Sequence, residues 1–426
     1  MAGRSWLVPG AIVLLALVLR LGAIAADHEY LPAHDAFDYD RHGRSIAAGE
    51  GFPESGYVPE GGPSALRPPV YPYLLGGVYV LSGDSVDAGR VVGALLGAVA
   101  VLLLYLLVLR IWGRRVALVA ALAAAVFPSL VLLSRDLLSE QLFIALELGA
   151  ALCVVESRAA RRGLGWAAAA GLLCGLAALT RNPGAALAVP ILLGLWRRQP
   201  GAGWSPLVPP AVGLLCILLA LVPWTVRNWE DFGRLVPVST SSGFGLAGTY
   251  NGVSMDDQEH PGAWRTPVIV PEYRQLFAVD GVDEGTLDAT LRRESVSFAW
   301  DHPGYALETS GRNLLRLFEL SDDSVVGRQS ALVTQRGIGS NVTLSERIGL
   351  GVAIVFAALG VAALLRRRFP RGPGFLWLIP VLTVAVAAPI AGLPRYRVPA
   401  DPFLLILAAL GVIWAWEEAG ARWRPR

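Results

Sequence analysis

Ten separate apolar runs punctuate this chain, and no single soluble core could bury them all. They fall at 6–26, 89–109, 116–134, 139–156, 163–180, 184–196, 206–226, 348–365, 374–391 and 402–416. A bilayer's hydrocarbon is about 30 Å thick and takes about 20 apolar residues per helix. Backbone groups there must be paired within their own segment, which leaves helices for runs of this kind. Composition agrees: 54% of the residues are apolar and 16% charged, whereas soluble domains carry roughly a quarter charged. An all-α polytopic membrane protein with about ten transmembrane helices is expected. The run at 184–196 is short, and is read as tilted, broken or merged with its neighbour.

Arginine placement gives the orientation. All 36 basic residues are Arg. With a cytoplasmic N-terminus, the inner segments hold Arg4, Arg110, Arg114, Arg115, Arg158, Arg161, Arg162, Arg197, Arg198, Arg366, Arg367, Arg368, Arg371, Arg422, Arg424 and Arg426. The short outer loops hold only Arg135, Arg181, Arg395 and Arg397. That is the positive-inside pattern, with both termini in the cytoplasm. Ala23-Ile24-Ala25 resembles a signal-peptidase site, but Arg20 inside the run favours a retained helix. The net charge of +2 offers no field for nucleic acid. Cys153, Cys174 and Cys216 lie in apolar runs, and the five histidines have no metal-ligand spacing. No cofactor is indicated; a divalent metal remains open.

Two long segments remain outside, 27–88 between spans one and two and 227–347 between spans seven and eight. Chemistry at a membrane face needs such loops on a rigid scaffold. In the first, a surface helix is expected from Asp35 to Gly49, with Asp38 and Tyr39 on the face of Asp35 and an Asp40–Arg44 pair. Arg67 and a pair of prolines then open a second apolar stretch, read as a surface or re-entrant helix over 70–82 that contains Tyr71. From local pattern, Asp35 reads as a helix cap, Arg67 as a headgroup anchor or a catalytic cation, and Glu140 as a dipole-favoured start of the fourth span. Asp136 lies one turn earlier. Arg395 and Arg397, flanking Tyr396, run against the positive-inside bias, so a phosphate role competes with snorkelling. Arg181 and Arg227 are similar outer-end arginines, with Glu140 or Asp136 as alternative partners.

The second segment is a mixed loop. Residues 284–319 have helical periodicity, with Leu287, Leu291, Val296, Phe298, Tyr305, Leu314, Leu317 and Phe318 as packing positions. Asp256-Asp257, Glu259 and His260 read as a solvated acidic turn rather than a cation site. Asn341-Val342-Thr343 matches a glycosylation sequon by pattern only.

The stretch DAFDYDRHGRSIAAGEGF followed by RPPVYPYLL resembles the start of bacterial membrane glycosyltransferases of the GT-C fold. The nearest branch is family 39, with protein O-mannosyltransferases and aminoarabinose transferases. LLSEQLFIALEL, GLAALTRNPG, RNWEDFGRLVPVSTSSGFGL, WDHPGYALETSGRNLLRLF and PRYRVPADPFL follow in the family's order. The resemblance implies one GT-C-like domain over 1–426, with 27–88 catalytic and 227–347 a substrate-contacting cover. It implies Asp35 as catalytic base, Glu140 as a second carboxylate, and Arg67 near the donor phosphate. Where many members carry a Glu after the base, this chain has Ala36.

The implied reaction moves a sugar from a polyprenyl-phosphate donor to an acceptor hydroxyl on a glycan, glycolipid or protein. It is placed at the outer face of a bacterial cytoplasmic membrane and inverts the anomeric centre. A carboxylate must take the acceptor's proton, and cations must hold the departing phosphate. Asp35 is the expected base; Arg67, Arg395, Arg397, Arg181 and Arg227 are the phosphate candidates, and Asp38, Tyr39, Tyr71 and Tyr396 the substrate-contacting ones. A lipid-linked sugar flippase, or an inactive assembly protein on this fold, is the alternative. The flippase reading would call for repeat symmetry, which the sequence lacks.

Overall fold

The computed structural model describes residues 6–160, 163–196, 205–321 and 344–422, and among them every regular element is helical. Arg4, Arg161, Arg162, Arg197, Arg198, Arg424, Arg426 and the Asn341-Val342-Thr343 sequon lie outside the described residues. The α-helices of five or more residues are α1 (Leu7–Ala25), α2 (Asp35–Ala47), α3 (Val70–Ser82), α4 (Val86–Trp112), α5 (Arg114–Val126), α6 (Pro128–Leu132), α7 (Glu140–Ala159), α8 (Leu164–Ala178), α9 (Ala188–Leu195), α10 (Val208–Phe232), α11 (Ser242–Ala247), α12 (Glu284–Asp301), α13 (Pro303–Leu317), α14 (Leu344–Leu365), α15 (Gly374–Ala387) and α16 (Asp401–Arg422).

Each of the ten apolar runs is helical. Among the described residues, five helices are long and apolar enough to cross a bilayer: α1, α4, α10, α14 and the stretch Pro394–Gly420 that contains α16. The pair Arg114–Val126 and Pro128–Arg135, bent by 55°, makes a sixth if it is counted as one span. α8, α15 and the 182–195 stretch are apolar but shorter, and α7 spans 20 residues with Glu140, Glu147 and Glu156 in it. The run at 184–196 is indeed broken, as a 3-10 turn over Asn182–Leu187 that leads into α9.

The α5–α6 bend has an identifiable cause. Pro128 lacks the N–H that would bond the Ala124 carbonyl, and Phe127 is extended. Arg20, fully buried in α1, reaches across to the Ala125 and Ala124 carbonyls (3.4 and 3.5 Å) and its own Ala16 carbonyl (3.0 Å). Free carbonyls in hydrocarbon need such a donor. Arg20, an oddity in the sequence, thus ties α1 to the break.

Small residues set the helix spacing elsewhere. α5 buries Val116, Ala117, Ala120, Ala121, Ala124 and Ala125. Without a hydrophobic driving force between helices in lipid, close backbone approach supplies dispersion contact instead. α14 crosses α16 most tightly: a Cβ on Gly360 would meet the Leu407 carbonyl, and one on Gly411 would meet the Phe356 carbonyl.

Both surface helices form where expected. α2 ends at Ala47, and Gly49 turns the chain with φ 81°. α3 is closed by Gly83 in the left-handed region. The periodic stretch 284–319 forms α12 and α13. Leu287, Leu291 and Leu317 are buried as expected, but Val296 and Leu314 are exposed. On α12 the buried line runs through Leu287, Leu291 and Ser295 and leaves Val296 beside it, and α13 buries a polar face (Thr309, Asn313, Arg316) that leaves Leu314 outside. Asn313 donates to the Ala388 carbonyl (3.0 Å) and Arg316 to the Pro261 carbonyl (3.0 Å). α2, α3, the α12 start and the loop before α16 meet at one end of the bundle.

Gly360→Val should separate α14 from α16 and cost about 1–3 kcal/mol through overpacking. Gly351→Ala in the same helix, where a Cβ meets nothing within 4 Å, should be neutral or better. Thermal unfolding in detergent distinguishes the two; equal effects would refute the tight crossing.

Candidate active site

The site starts at the turn into α2. His34 occupies the cap position with φ 52° and ψ −120°, and no side chain caps the helix. Asp35 is the first helical residue. Its capping role is therefore set aside: the carboxylate turns away from its own helix to Arg67 Nη2 (2.6 Å) and to Arg395 Nη2. One turn on, Asp38 Oδ2 takes Arg67 Nε (2.6 Å). The Arg67 fork thus bridges the two carboxylates that α2 places on one face. Tyr39, on the same face, lies beneath the guanidinium at 5.1 Å from the ring centroid. Tyr71 packs edge-on behind it (4.8 Å), buried among apolar neighbours.

Arg67 is aimed by a clamp that local sequence does not reveal. Glu284, at the start of α12, is buried and accepts from Ser64 Oγ (2.9 Å), the Ala65 N–H (2.8 Å) and Thr240 Oγ1. The Thr240 N–H returns a bond to the Ala65 carbonyl (3.0 Å). Arg227 donates to the Ser64 carbonyl (2.8 Å) and pairs with Asp231 (2.7 Å). The long second segment thereby fixes the backbone just before Arg67. Pro68, next in sequence, restricts Arg67 itself to extended conformations.

A second arm comes from the other end of the chain. Arg395 and Tyr396 sit in the 3-10 turn Pro394–Tyr396. The Tyr396 ring has two guanidiniums over it, Arg395 at 5.1 Å and Arg181 at 5.8 Å from the centroid. Arg181 Nη1 is 2.6 Å from Glu140 Oε1 and donates to Ser139 Oγ (3.1 Å). Ser139 Oγ also bonds the Tyr39 hydroxyl (3.0 Å), which joins the two arms. The Arg181–Glu140 contact is ionic without hydrogen-bond alignment. The fully buried Glu140 carboxylate so keeps both oxygens free of hydrogen bonds.

Burial alone would raise the pKa of Asp35, but Arg395 and Arg67 outweigh it and hold the carboxyl far below the usual range. Burial likewise opposes Arg67 and the other cations at Asp38, and there too the cations win. Arg67 bears its own desolvation, yet the two carboxylates push it up. Asp136 behaves differently: burial pushes it up to about 7, against the pull of Arg135, Arg90 and Arg395. The His34 ring is lowered by burial, with Asp35 opposing and Arg395 assisting.

Arg67, Arg395 and Arg181 therefore converge with Asp35, Asp38, Glu140, Tyr39 and Tyr396. Arg397 does not. It is buried against Asp401 (2.9 Å) and Glu319 (3.2 Å) and donates to the Leu317 carbonyl (2.8 Å). Arg227 is engaged in the Ser64 brace. Asp257 is committed to the N–H groups of Glu259 and His260 (2.9 Å each) and to Arg265. Glu284, which braces the backbone before Arg67, is the residue that sequence reasoning missed.

Residues 66–226 match the family model described as dolichyl-phosphate-mannose-protein mannosyltransferase. No curated protein matches this chain. Among solved structures, the chain is similar to the archaeal oligosaccharyltransferase AglB from Archaeoglobus fulgidus in complex with an inhibitory peptide and a dolichol-phosphate. That match has a TM-score of 0.54 and 13% identity, over 96% of this chain and 50% of AglB. The apo form gives 0.55 and 14%, over 97% and 51%. The fold is GT-C. This chain spans about half the length of the oligosaccharyltransferase it matches. ArnT from Cupriavidus metallidurans bound to undecaprenyl phosphate aligns at a TM-score of 0.41 with 18% identity, over 94% of this chain and 76% of that one.

Because Arg397 neutralises two buried carboxylates, Arg397→Ala should cost about 3–5 kcal/mol by leaving them without a cation. Its loss should appear in thermal unfolding and leave the affinity of the folded fraction for polyprenyl phosphate unchanged. A weaker affinity at intact stability would return Arg397 to the site.

Proposed function

We propose that this GT-C protein is a membrane glycosyltransferase that moves a sugar from a polyprenyl-phosphate donor to an acceptor hydroxyl. The observation that carries this reading is the Asp35 carboxylate held between Arg67 and Arg395. The match to the family model described as dolichyl-phosphate-mannose-protein mannosyltransferase supports it, as does the fold shared with an oligosaccharyltransferase in complex with a dolichol-phosphate. We place the site at the outer face of a bacterial cytoplasmic membrane, on the arginine distribution.

The chemistry follows from what each group can do. Arg67 and Arg395 present guanidiniums suited to a phosphate, and Arg181 stands beside them at Tyr396. A donor phosphate arriving here competes with Asp35 for the same N–H groups. Once the phosphate takes them, Asp35 loses the charges that depress its pKa and becomes a stronger base. It then accepts the proton of the acceptor hydroxyl as that oxygen attacks the anomeric carbon. The bond from that carbon to the phosphate oxygen breaks, and the electron pair leaves with the polyprenyl phosphate. The growing charge is met by guanidiniums already in place. A single displacement of this kind inverts the anomeric centre. Tyr39 and Tyr396 hold the cations in register, Asp38 retains Arg67, and Glu140 retains Arg181.

Asp35→Asn should keep binding polyprenyl phosphate while transfer falls by roughly 10²–10⁴-fold, the usual contribution of a positioned base. Labelled polyprenyl-phosphate sugar in proteoliposomes reads both quantities; undiminished turnover would remove Asp35 from the role. The pKa argument also has a sign. Asp35 is held lower in the free protein than in the donor complex. The acid limb of kcat, which reports the complex, should therefore lie at higher pH than that of kcat/KM, which reports the free enzyme. The reverse order would contradict the exchange of Asp35 for phosphate.

A further inference from the structure

We infer that His34 is a further substrate-contacting residue of this site, its ring Nε2 hydrogen-bonding a hydroxyl of the substrate bound at Asp35. The inference rests on the glycosyltransferase reading above.

Three observations lead there. The first is the backbone. His34 has φ 52° and ψ −120°, the geometry of the first central residue of a type II′ turn, where glycine is favoured because a Cβ is strained. The same segment does use glycine where φ is positive, at Gly49 and Gly51. A histidine in such a conformation persists only when its surroundings hold it, and strain of this kind clusters at functional sites.

The second is an unpaired atom. His34 Nε2 is buried and has no hydrogen-bond partner. Leaving a buried polar atom unpaired is costly, and each case calls for an explanation. The bond that enters α2 is a backbone one, from the Asp38 N–H to the His34 carbonyl (3.0 Å), which any residue supplies.

The third is place and chemistry. His34 directly precedes Asp35 in the chain, and its ring lies within electrostatic reach of both Asp35 and Arg395. Burial and Arg395 keep it below the ordinary imidazole range, so at neutral pH it is the uncharged ring, with one donor and one acceptor nitrogen. That suits a sugar or acceptor hydroxyl, which both gives and takes a hydrogen bond. A phosphate is already served by the three guanidiniums.

The test compares His34→Gly and His34→Gln with the wild type in nanodiscs. It measures thermal stability, affinity for polyprenyl phosphate without sugar, and turnover of labelled polyprenyl-phosphate sugar. Glycine relieves the backbone, so His34→Gly should unfold at the same or a higher temperature, by ~2 °C. It should bind polyprenyl phosphate within twofold of wild type and turn over about 10-fold more slowly. His34→Gln, which restores a side-chain N–H and carbonyl, should recover part of that loss. Wild-type turnover in His34→Gly overturns the inference, and so does a loss that tracks lowered stability, since His34 would then be structural. If the wild type transfers no sugar from any such donor while binding polyprenyl phosphate, the glycosyltransferase reading itself falls. That outcome is distinct from failure of the His34 contact.

Discussion

A carboxylate that must stay charged in a half-buried pocket organises this end of the molecule. Asp35 is shared between a guanidinium 32 residues downstream and another 360 residues downstream. Removing a charge from water costs several kcal/mol even in a relaxed protein. An opposite charge at 4 Å returns about 4 kcal/mol at an effective dielectric of 20. One cation therefore balances the penalty, and two exceed it. The last interhelical loop and the first surface helix are in this way closed onto each other by charge. The Glu284 clamp, the Tyr396 ring and the Ser139 bridge all serve to keep those cations where Asp35 needs them.

The same arrangement sets a resting state. Within the cluster, Arg67, Arg395 and Arg181 are each matched by a carboxylate. A base paired with two guanidiniums is a weak one. It gains strength only when another anion takes its partners, and in the proposed reaction that anion is the donor's own phosphate. Under the proposed reaction, proton abstraction would be coupled to donor binding through this exchange of partners, and an idle site would not activate stray hydroxyls.

The sequence carried much of this in periodicity and in departures from it. α2 and α3 were legible because turn residues bracket amphipathic or apolar stretches, and Gly49 and Gly83 close them. Arg395 stood out because it runs against the charge bias of its loop. Arg397 looked identical on that ground, yet its partners Asp401 and Glu319 are set by tertiary packing. Arg20 read as an oddity within a span, because the carbonyls it satisfies belong to a helix break more than 100 residues away. Val296 and Leu314 fit a core pattern but face outward, since α12 buries the line through Leu287, Leu291 and Ser295 and α13 seats its polar side instead. His34 gave no signal, because its positive φ is a property of the fold.

The most direct measurement is infrared difference spectroscopy of the carboxylate stretch on adding polyprenyl phosphate to the protein in nanodiscs. The account predicts a shift in one ionised carboxylate band as Asp35 exchanges two guanidiniums for water or acceptor, and that band is absent from Asp35→Asn. An unchanged spectrum on saturating addition, or the same shift in Asp35→Asn, would contradict it.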